Sequence, residues 1–283
     1  MSNNAATARA CETESLVGFL REHSRLTVLT GAGCSTESGI PEYRDDDGNW
    51  MHRQPMQFAD FVKYASKRRR YWAQSFAGWH RISNAKPNEA HRAIAKLEQC
   101  GIVSCVITQN VDNLHRAAGS RNVIDLHGVL RRIRCLDCGA TDSRHAFQAR
   151  LQECNPGWNT GIAAIAPDGD ARISGGNLRS FKVPGCCCCG GIVKPHVVFF
   201  GEPVPELRVS KANAFLRQSD ALLVVGSSLM VFSGYRFARI ASEAGKPIAI
   251  VNRGITRADD LATHKFTANC AELLSQSVAR LAA

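Results

Sequence analysis

The sequence predicts an α/β fold built on a doubly wound, Rossmann-like parallel sheet, with a smaller domain of helices and paired cysteines inserted into it. Short apolar runs rich in Val and Ile alternate with helical stretches, the pattern of parallel strands buried on both faces. Several of these runs end in turns of Gly, Ser and Asn, and two Cys-rich knuckles interrupt the alternation.

In chain order, strands are expected at 26–29, 102–107, 122–125, 221–225 and 247–251. A helix over 88–99 opens at Pro87-Asn88. Another over 234–243 closes at Ala244-Gly245, where glycine admits the left-handed turn that ends a helix. A doubly wound sheet binds ligands beyond the carboxyl ends of its strands, so chemistry is expected in the residues just after each strand.

Composition narrows the class. Of the 283 residues, 45% are hydrophobic and 21% charged, enough apolar material for a buried core, which excludes disorder and a coiled coil. The 35 Lys and Arg exceed the 25 Asp and Glu, giving a formal charge of +10 that draws acidic partners without specifying a fold. The largest basic cluster, Lys67-Arg68-Arg69-Arg70, runs into Tyr71-Trp72 and reads as a solvated helix face rather than a groove for phosphates, so nucleic acid is not an expected partner. No run approaches the ~18 apolar residues that span a bilayer. Met1-Ser2-Asn3-Asn4 lacks the charged-then-apolar order of an export signal, so a cytoplasmic protein with no membrane partner is expected. Twelve cysteines in 283 residues fall below the density of disulfide-built scaffolds, and in a reducing compartment paired cysteines more often hold a metal.

The knuckles are Cys135-Leu136-Asp137-Cys138-Gly139 and Cys186-Cys187-Cys188-Cys189-Gly190-Gly191. A two-residue gap lets both thiolates of a knuckle reach one tetrahedral ion, and the following glycine lets the backbone turn its amides toward sulfur. Cys135, Cys138, Cys186 and Cys189 are the expected ligands of one structural Zn²⁺, with Cys187 and Cys188 outside the saturated shell. The 47 residues between Cys138 and Cys186 exceed the usual spacer of roughly 15–20. A redox dithiol is the competing reading, against which stand four sulfurs and a Gly-rich second knuckle. A closed shell of thiolates leaves no open position for catalysis.

After the first strand comes Thr30-Gly31-Ala32-Gly33-Cys34-Ser35-Thr36-Glu37-Ser38. Gly31 and Gly33 permit close backbone approach to a pyrophosphate, and Ser35, Thr36 or Ser38 could cap a helix whose first amides face the anion. Thr36 stands where the dinucleotide fingerprint has its third glycine, so a plain tight turn explains the glycines equally well. The second run ends in Thr108-Gln109-Asn110-Val111-Asp112-Asn113-Leu114-His115 and the third in Leu126-His127-Gly128. Gly226-Ser227-Ser228 and Asn252-Arg253-Gly254 follow the fourth and fifth. Taken singly, Asn110 and Asp112 read as a capping turn and His127 as a structural histidine. At adjacent strand ends they form a polar constellation that a core does not need.

Together these residues resemble the sirtuins, the NAD-dependent protein lysine deacylases. The resemblance runs from about residue 15 to residue 274 in the family's order. It rests on Gly-Ala-Gly-Cys-Ser and Gly-Ile-Pro-Glu-Tyr-Arg within 31–44, Thr-Gln-Asn-Val-Asp at 108–112, Leu-His-Gly at 126–128 and the two knuckles. It continues through Lys194-Pro195-His196-Val197-Val198-Phe199-Phe200-Gly201-Glu202, Gly226-Ser227-Ser228-Leu229 and Val251-Asn252.

The resemblance implies that NAD is consumed as a co-substrate. Gly31, Ala32, Gly33, Ser35 and Arg44 would hold the pyrophosphate and adjacent ribose, and Tyr43, where many relatives have Phe, would cover the nicotinamide site. Asn110 and Asp112 would line the nicotinamide pocket, with Gln109 beside the ribose. Gly226, Ser227, Ser228, Asn252 and the backbone near Cys270 would hold the adenosine half. In the implied reaction the acyl-lysine carbonyl oxygen attacks the ribose carbon that bears nicotinamide. His127 is the general base for a ribose hydroxyl, with Asn110 as the second catalytic residue, and the products are free lysine, nicotinamide and O-acyl-ADP-ribose. The acylated peptide would add as a strand against Val197, Val198, Phe199 and Phe200, with Gly201 and Glu202 closing that segment and the loop 229–234 on its other side.

Ser233, where many deacetylases carry Pro, and a long insert between the knuckles with Trp158, Asn159 and residues 162–165 resemble the class II branch. Protein mono-ADP-ribosylation or lipoamide cleavage is then an alternative activity within the family, and the insert is expected to reach toward the acyl tunnel. Tyr71 is followed by Trp72-Ala73-Gln74, so the Tyr-x-x-Arg pair that reads acidic acyl groups in another branch is missing. A zinc-ribbon module that senses nucleotides is the reading from another class, and it leaves Asn110, Asp112 and His127 without a task. The expected domains are a Rossmann-like NAD-binding domain of 1–50, 88–130 and 197–283, and a smaller zinc-binding and helical domain of 51–87 and 131–196, with the active site in the cleft between them.

Overall fold

The computed structural model describes residues 2–51, 55–158, 161–165, 171–174 and 178–282. The chain opens with helix α1 (Ser2–Glu22), strand β1 (Leu26–Thr30) and helices α2 (Phe58–Lys63), α3 (Ala65–Asn84) and α4 (Glu89–Gln99). Next come β2 (Val103–Thr108), the single turn α5 (Leu114–Ala117), β3 (Val123–Asp125), β4 (Gly128–Cys135), β5 (Thr141–Ser143) and α6 (Arg144–Cys154). A hairpin of β6 (Gly161–Ile165) and β7 (Ala171–Ser174) leads to β8 (Val193–Val197), α7 (Glu206–Gln218), β9 (Ala221–Val225) and α8 (Phe232–Glu243). The chain ends with β10 (Ile248–Val251), β11 (His264–Phe266) and α9 (Cys270–Leu281).

Six strands form one parallel sheet in the order β11-β10-β9-β1-β2-β3. All five expected strands are in it, and β11 adds an edge that the sequence did not predict, because His264-Lys265-Phe266 carries no apolar run. Every residue of β1 and β9 is buried. Their alternate side chains serve opposite faces: Val28 and Leu223 pack with α1, α4 and α9 through Leu16, Ile94 and Leu274, whereas Leu29 and Leu222 pack with α7 and α8 through Leu216 and Phe237. Helix α8 begins at Phe232, two residues before its expected start. Helix α4 begins where Pro87-Asn88 indicates: the Asn88 side chain accepts from the amides of Ala90 and His91, and the His91 ring returns to the Asn88 amide. Asn88 Nδ2 also donates to the Cys34 carbonyl at 2.8 Å, tying this helix to the loop after β1.

A third core joins α2 and α3 to an antiparallel sheet of order β5-β4-β8. Trp72 lies at its centre, and its indole N–H donates to the Val193 carbonyl at 3.1 Å. The Arg144 guanidinium is buried over the Trp79 ring, 4.6 Å from its centroid. Within the basic cluster, Lys67 and Arg70 are exposed, while Arg68 donates to the carbonyls of Phe61 and Val62 and so closes the end of α2. The regular strand at the second knuckle is Val193–Val197, earlier than the expected extended run of 197–200; past it, Phe200 makes only an isolated bridge to Gln57.

The knuckles meet at the tips of this sheet. The sulfurs of Cys135, Cys138, Cys186 and Cys189 all lie within 4.8 Å of one another. Cys135 and Cys189 are 3.5 Å apart and Cys138 and Cys186 3.7 Å. That is too far for a disulfide and near the ~3.8 Å edge of a tetrahedron of Zn–S bonds. Gly139 and Gly190 both take positive φ, 74° and 75°, as the turns after each pair require. Backbone amides of Cys188 and Cys189 lower the pKa of the Cys186 thiol, whereas the neighbouring sulfurs raise those of Cys138 and Cys189, as expected of four thiols crowded together. The donor set fits one structural Zn²⁺. The long spacer is accounted for by β5, α6 and the β6–β7 hairpin, which the chain completes before it returns to the second knuckle. We predict one equivalent of zinc by elemental analysis, and its removal by a chelator should lower the melting temperature by more than about 5 °C; a metal-free protein that melts like the untreated one would refute the assignment.

Candidate active site

A cavity of about 430 Å³ opens at the carboxyl ends of β1, β2, β9 and β10, the size of a small-molecule site. Its floor is made by two turns packed backbone to backbone. Gly31 N–H donates to the Val225 carbonyl at 3.1 Å and Gly33 N–H to that of Gly226 at 2.9 Å. A Cβ on Gly31 would lie 2.7 Å from Ser227 Cβ, and one on Gly226, whose φ is +59°, would collide with the Cys34 amide. These residues are glycine because the two turns touch each other, a nearer reason than the approach of a ligand.

No helix is capped in the first of these turns. Two 3-10 turns, Ala32–Cys34 and Thr36–Ser38, follow β1, and Ser35 makes no capping hydrogen bond. The reason is a better partner: Ser35 Oγ donates to Asp112 Oδ2 at 2.7 Å and accepts from Asn110 Nδ2 at 2.9 Å. Asn110 Nδ2 also reaches the Gly31 carbonyl at 2.9 Å. Asp112 accepts from the Leu114 amide at 2.8 Å, so it caps α5 and lines the cavity at once. Burial raises its pKa, opposed by the Leu114 and Ser35 hydrogen bonds. Gln109 Nε2 donates to Ser227 Oγ at 2.8 Å, joining the ends of β2 and β9.

His127 is placed by Gly128, which at φ +84° lets β4 approach β8 so closely that a Cβ would strike the His196 carbonyl. The Val198 amide donates to the His127 carbonyl at 2.7 Å. The ring has Nδ1 2.9 Å from the Gln109 carbonyl and Nε2 2.8 Å from Ser233 Oγ. Burial drives the imidazole down to about 4, against the Gln109 carbonyl and with help from the Arg208 guanidinium, so the ring is neutral at pH 7.

One wall is the loop before α2. Arg44 donates to the Gly48 carbonyl at 2.6 Å and stacks over Trp50 at 4.1 Å, and Tyr43 meets the Trp50 ring edge-on at 6.1 Å. The facing wall runs through Val197, Val198, Phe199 and Phe200 to Gly201 and Glu202. Glu202 accepts from the Phe199 amide and from Lys194 Nζ, both at 2.8 Å, which bends the segment into a turn and explains why the strand stops at Val197. Phe199 is buried against Phe61 and Tyr71, each ring 5.1 Å away.

Gly31, Ala32, Gly33, Ser35, Tyr43, Arg44, Gln109, Asn110, Asp112, Gly226, Ser227, Ser228 and Asn252 all line this cavity with His127. Cys270 does not; it starts α9, and its buried thiol points at the Val251 carbonyl, 3.5 Å away. The zinc-type cysteines are also absent from the wall. Trp158 packs on Phe76 and Phe181, Asn159 and the side chains of 162–165 lie outside the described residues, and among the described residues nothing from 144–196 reaches the cavity. Trp50, Met56, Tyr71 and Arg236 line it without having been expected there. Beneath the floor lies a buried layer that the sequence did not announce: His115 Nε2 is 2.9 Å from Thr30 Oγ1, and His91, pushed down to about 4 by burial, lies 3.4 Å from Ser35 Oγ.

Comparison with known proteins agrees with this architecture. The Sir2 family profile matches residues 31–233. The chain is 53% identical over 262 residues to "NAD-dependent protein deacetylase 2" of Bradyrhizobium diazoefficiens, covering 93% of this chain and 96% of that protein. It is 48% identical over 266 residues to the human "NAD-dependent protein lipoamidase sirtuin-4, mitochondrial", covering 93% and 85%. A solved structure described as "Sir2-p53 peptide-NAD+" superposes with a TM-score of 0.77 at 29% identity, covering 95% of this chain and 98% of that one. A matching family profile over most of the chain, relatives near half identical along nearly its whole length and the same fold place it plainly: this chain belongs to the Sir2 family, the sirtuins.

Proposed function

We propose that this chain is an NAD-dependent protein lysine deacylase that moves the acyl group of a lysine side chain to ADP-ribose and releases nicotinamide. The observation that carries the reading is a buried, neutral His127 whose Nε2 faces the same cavity as Asn110, Asp112 and both glycine turns. Relatives named as NAD-dependent protein deacetylases over almost the full chain support it, as does a Sir2 structure with acetylated peptide. NAD supplies the ribose carbon to which the acyl oxygen bonds as nicotinamide leaves.

In this reading the residues divide the work. Gly31, Ala32, Gly33, Ser35 and Arg44 hold the pyrophosphate side, and Gly226, Ser227, Ser228 and Asn252 the adenosine side. Asn110 and Asp112 orient the nicotinamide end, with Tyr43 over it and Gln109 beside the ribose. Asn110 keeps the strand-end geometry in which the reacting groups meet. The acyl-lysine peptide enters between Val197–Glu202 and the loop before α8 as an added strand. His127 accepts a sugar hydroxyl proton at Nε2 while Gln109 holds Nδ1. The chain then divides into a Rossmann-like NAD-binding domain of 1–50, 88–130 and 197–283 and a smaller zinc-binding and helical domain of 51–87 and 131–196, a division supported by the parallel sheet in the first and the cysteine knuckles in the second. All twelve cysteines are free of disulfides, which suits a reducing cytoplasm.

A larger acyl group, such as lipoyl, is a second substrate class. The observation that favours it is the apolar part of the lining, with Ile40, Met56, Tyr71 and Phe199, in a chain 48% identical to a lipoamidase.

Incubation with NAD and a panel of acetyl- and lipoyl-lysine peptides, followed by mass spectrometry, should yield nicotinamide and acyl-ADP-ribose; intact NAD with every peptide would refute the function. The His127→Ala variant should lose about 10²-fold or more of kcat/KM while keeping its zinc and its melting temperature, and near-normal turnover would remove His127 from the mechanism. The base works as the neutral ring, and the folded value of about 4 lies below the ordinary 6.5. Activity should therefore persist from pH 8 to about pH 5 and fall only toward pH 4; an acid limb centred at 6.5 would contradict this.

A further inference from the structure

His127 is held by two hydrogen bonds of opposite sense. The Gln109 carbonyl can only accept, so Nδ1, 2.9 Å away, carries the ring proton. Nε2 of the neutral ring is then a lone pair, and the Ser233 hydroxyl, 2.8 Å away, donates to it. The lone pair that the proposed reaction needs is already engaged.

The placement of Ser233 is built into the fold. It is the second residue of α8, and Val231 at the N-cap makes no side-chain capping bond. Gly234 follows, and a Cβ there would strike the Gln109 side-chain amide, so the first turn of α8 rests directly on Gln109. Gln109 thus fixes the ring through its carbonyl and the helix start through its side chain, and the spacing between Ser233 and His127 follows from both. Around them, the Arg208 guanidinium of α7 disfavours the charged ring, and Asp112, Glu202 and Arg236 line the same cavity.

We propose that Ser233 is a positioning residue for His127: its hydroxyl orients the ring and occupies the Nε2 lone pair until a sugar hydroxyl takes its place. This rests on the reading of His127 as the general base. The exchange replaces one neutral hydrogen bond by another and makes or breaks no covalent bond. Ser233 keeps its proton and turns away from the ring.

The hydroxyl donates to Nε2 of the neutral ring and turns to accept from Nε2–H of the charged ring; the second bond is the stronger, so loss of the hydroxyl lowers the pKa of His127. The test is a pH titration of the zinc-loaded, ligand-free protein labelled with ¹⁵N-histidine, with His127→Ala used to assign the resonance. In Ser233→Ala, His127 should titrate about 0.5–1 pH units lower than in the parent, and Ser233→Thr, which keeps the hydroxyl, should return it. The acid limb of kcat/KM should move the same way in Ser233→Ala. An unchanged titration in Ser233→Ala, or a Thr variant that behaves like the Ala one, overturns the proposal. If His127 were not the base, His127→Ala would still turn over while the titration still reported on Ser233, so the two failures are distinguishable.

Discussion

The close contact of two glycine turns at the centre of the sheet is the constraint on which the rest of the site depends. Residues 31–33 and 226–227 meet backbone to backbone, within distances that no side chain could occupy. This contact draws the ends of β1 and β9 together and leaves the polar residues after β2 to fill the space above them. Ser35, Asn110 and Asp112 satisfy one another there, so two buried polar groups and a half-buried one avoid the cost of being unpaired. A preorganised set of this kind need not rearrange when a ligand arrives.

Burial then sets the chemistry of His127. Withdrawn from water, the imidazole loses the charged form, and the acceptor-only carbonyl at Nδ1 selects one tautomer. His91 and His115 beneath the floor are likewise held neutral by burial. The region under the cavity is therefore free of buried cationic imidazoles, and the imidazole that faces a ligand is His127, its Nε2 bonded to the Ser233 hydroxyl. The cysteine cluster contributes at a distance: it ties one end of the β4–β8 pair, and the opposite end of the same pair carries both His127 and the Val197 segment.

Much of this could be read without coordinates. The five buried strands were legible because parallel strands covered on both faces need unbroken apolar runs, as in Leu26–Thr30 and Ala221–Val225. The Cys-x-x-Cys-Gly spacing named the four sulfurs, because two residues between thiolates and a following glycine are local requirements. The polar residues after each strand were legible for a similar reason, since the topology of a doubly wound sheet sends the carboxyl ends of its strands to one place.

What depends on residues far apart in the chain was not legible. The sequence determined that Gly31, Gly33 and Gly226 would be tight turns; only the tertiary structure decided that they would be tight against each other. The sequence offered Ser35 as a cap, and the fold gave it Asp112 and Asn110, 77 and 75 residues away: a helix start supplies only amide donors, whereas this pair uses both the proton and the lone pair of the hydroxyl, the proton going to a carboxylate. It pointed to the backbone near Cys270 for the adenosine half, and the direction of the Cys270 thiol, toward the Val251 carbonyl, was set by the packing of α9. It marked Ser233 as a departure from a family pattern, while its hydrogen bond to His127, 106 residues distant, exists only once α8 is seated on Gln109. Local chemistry can be written in spacing, but the partner of a buried polar group is chosen by the fold that excludes water around both.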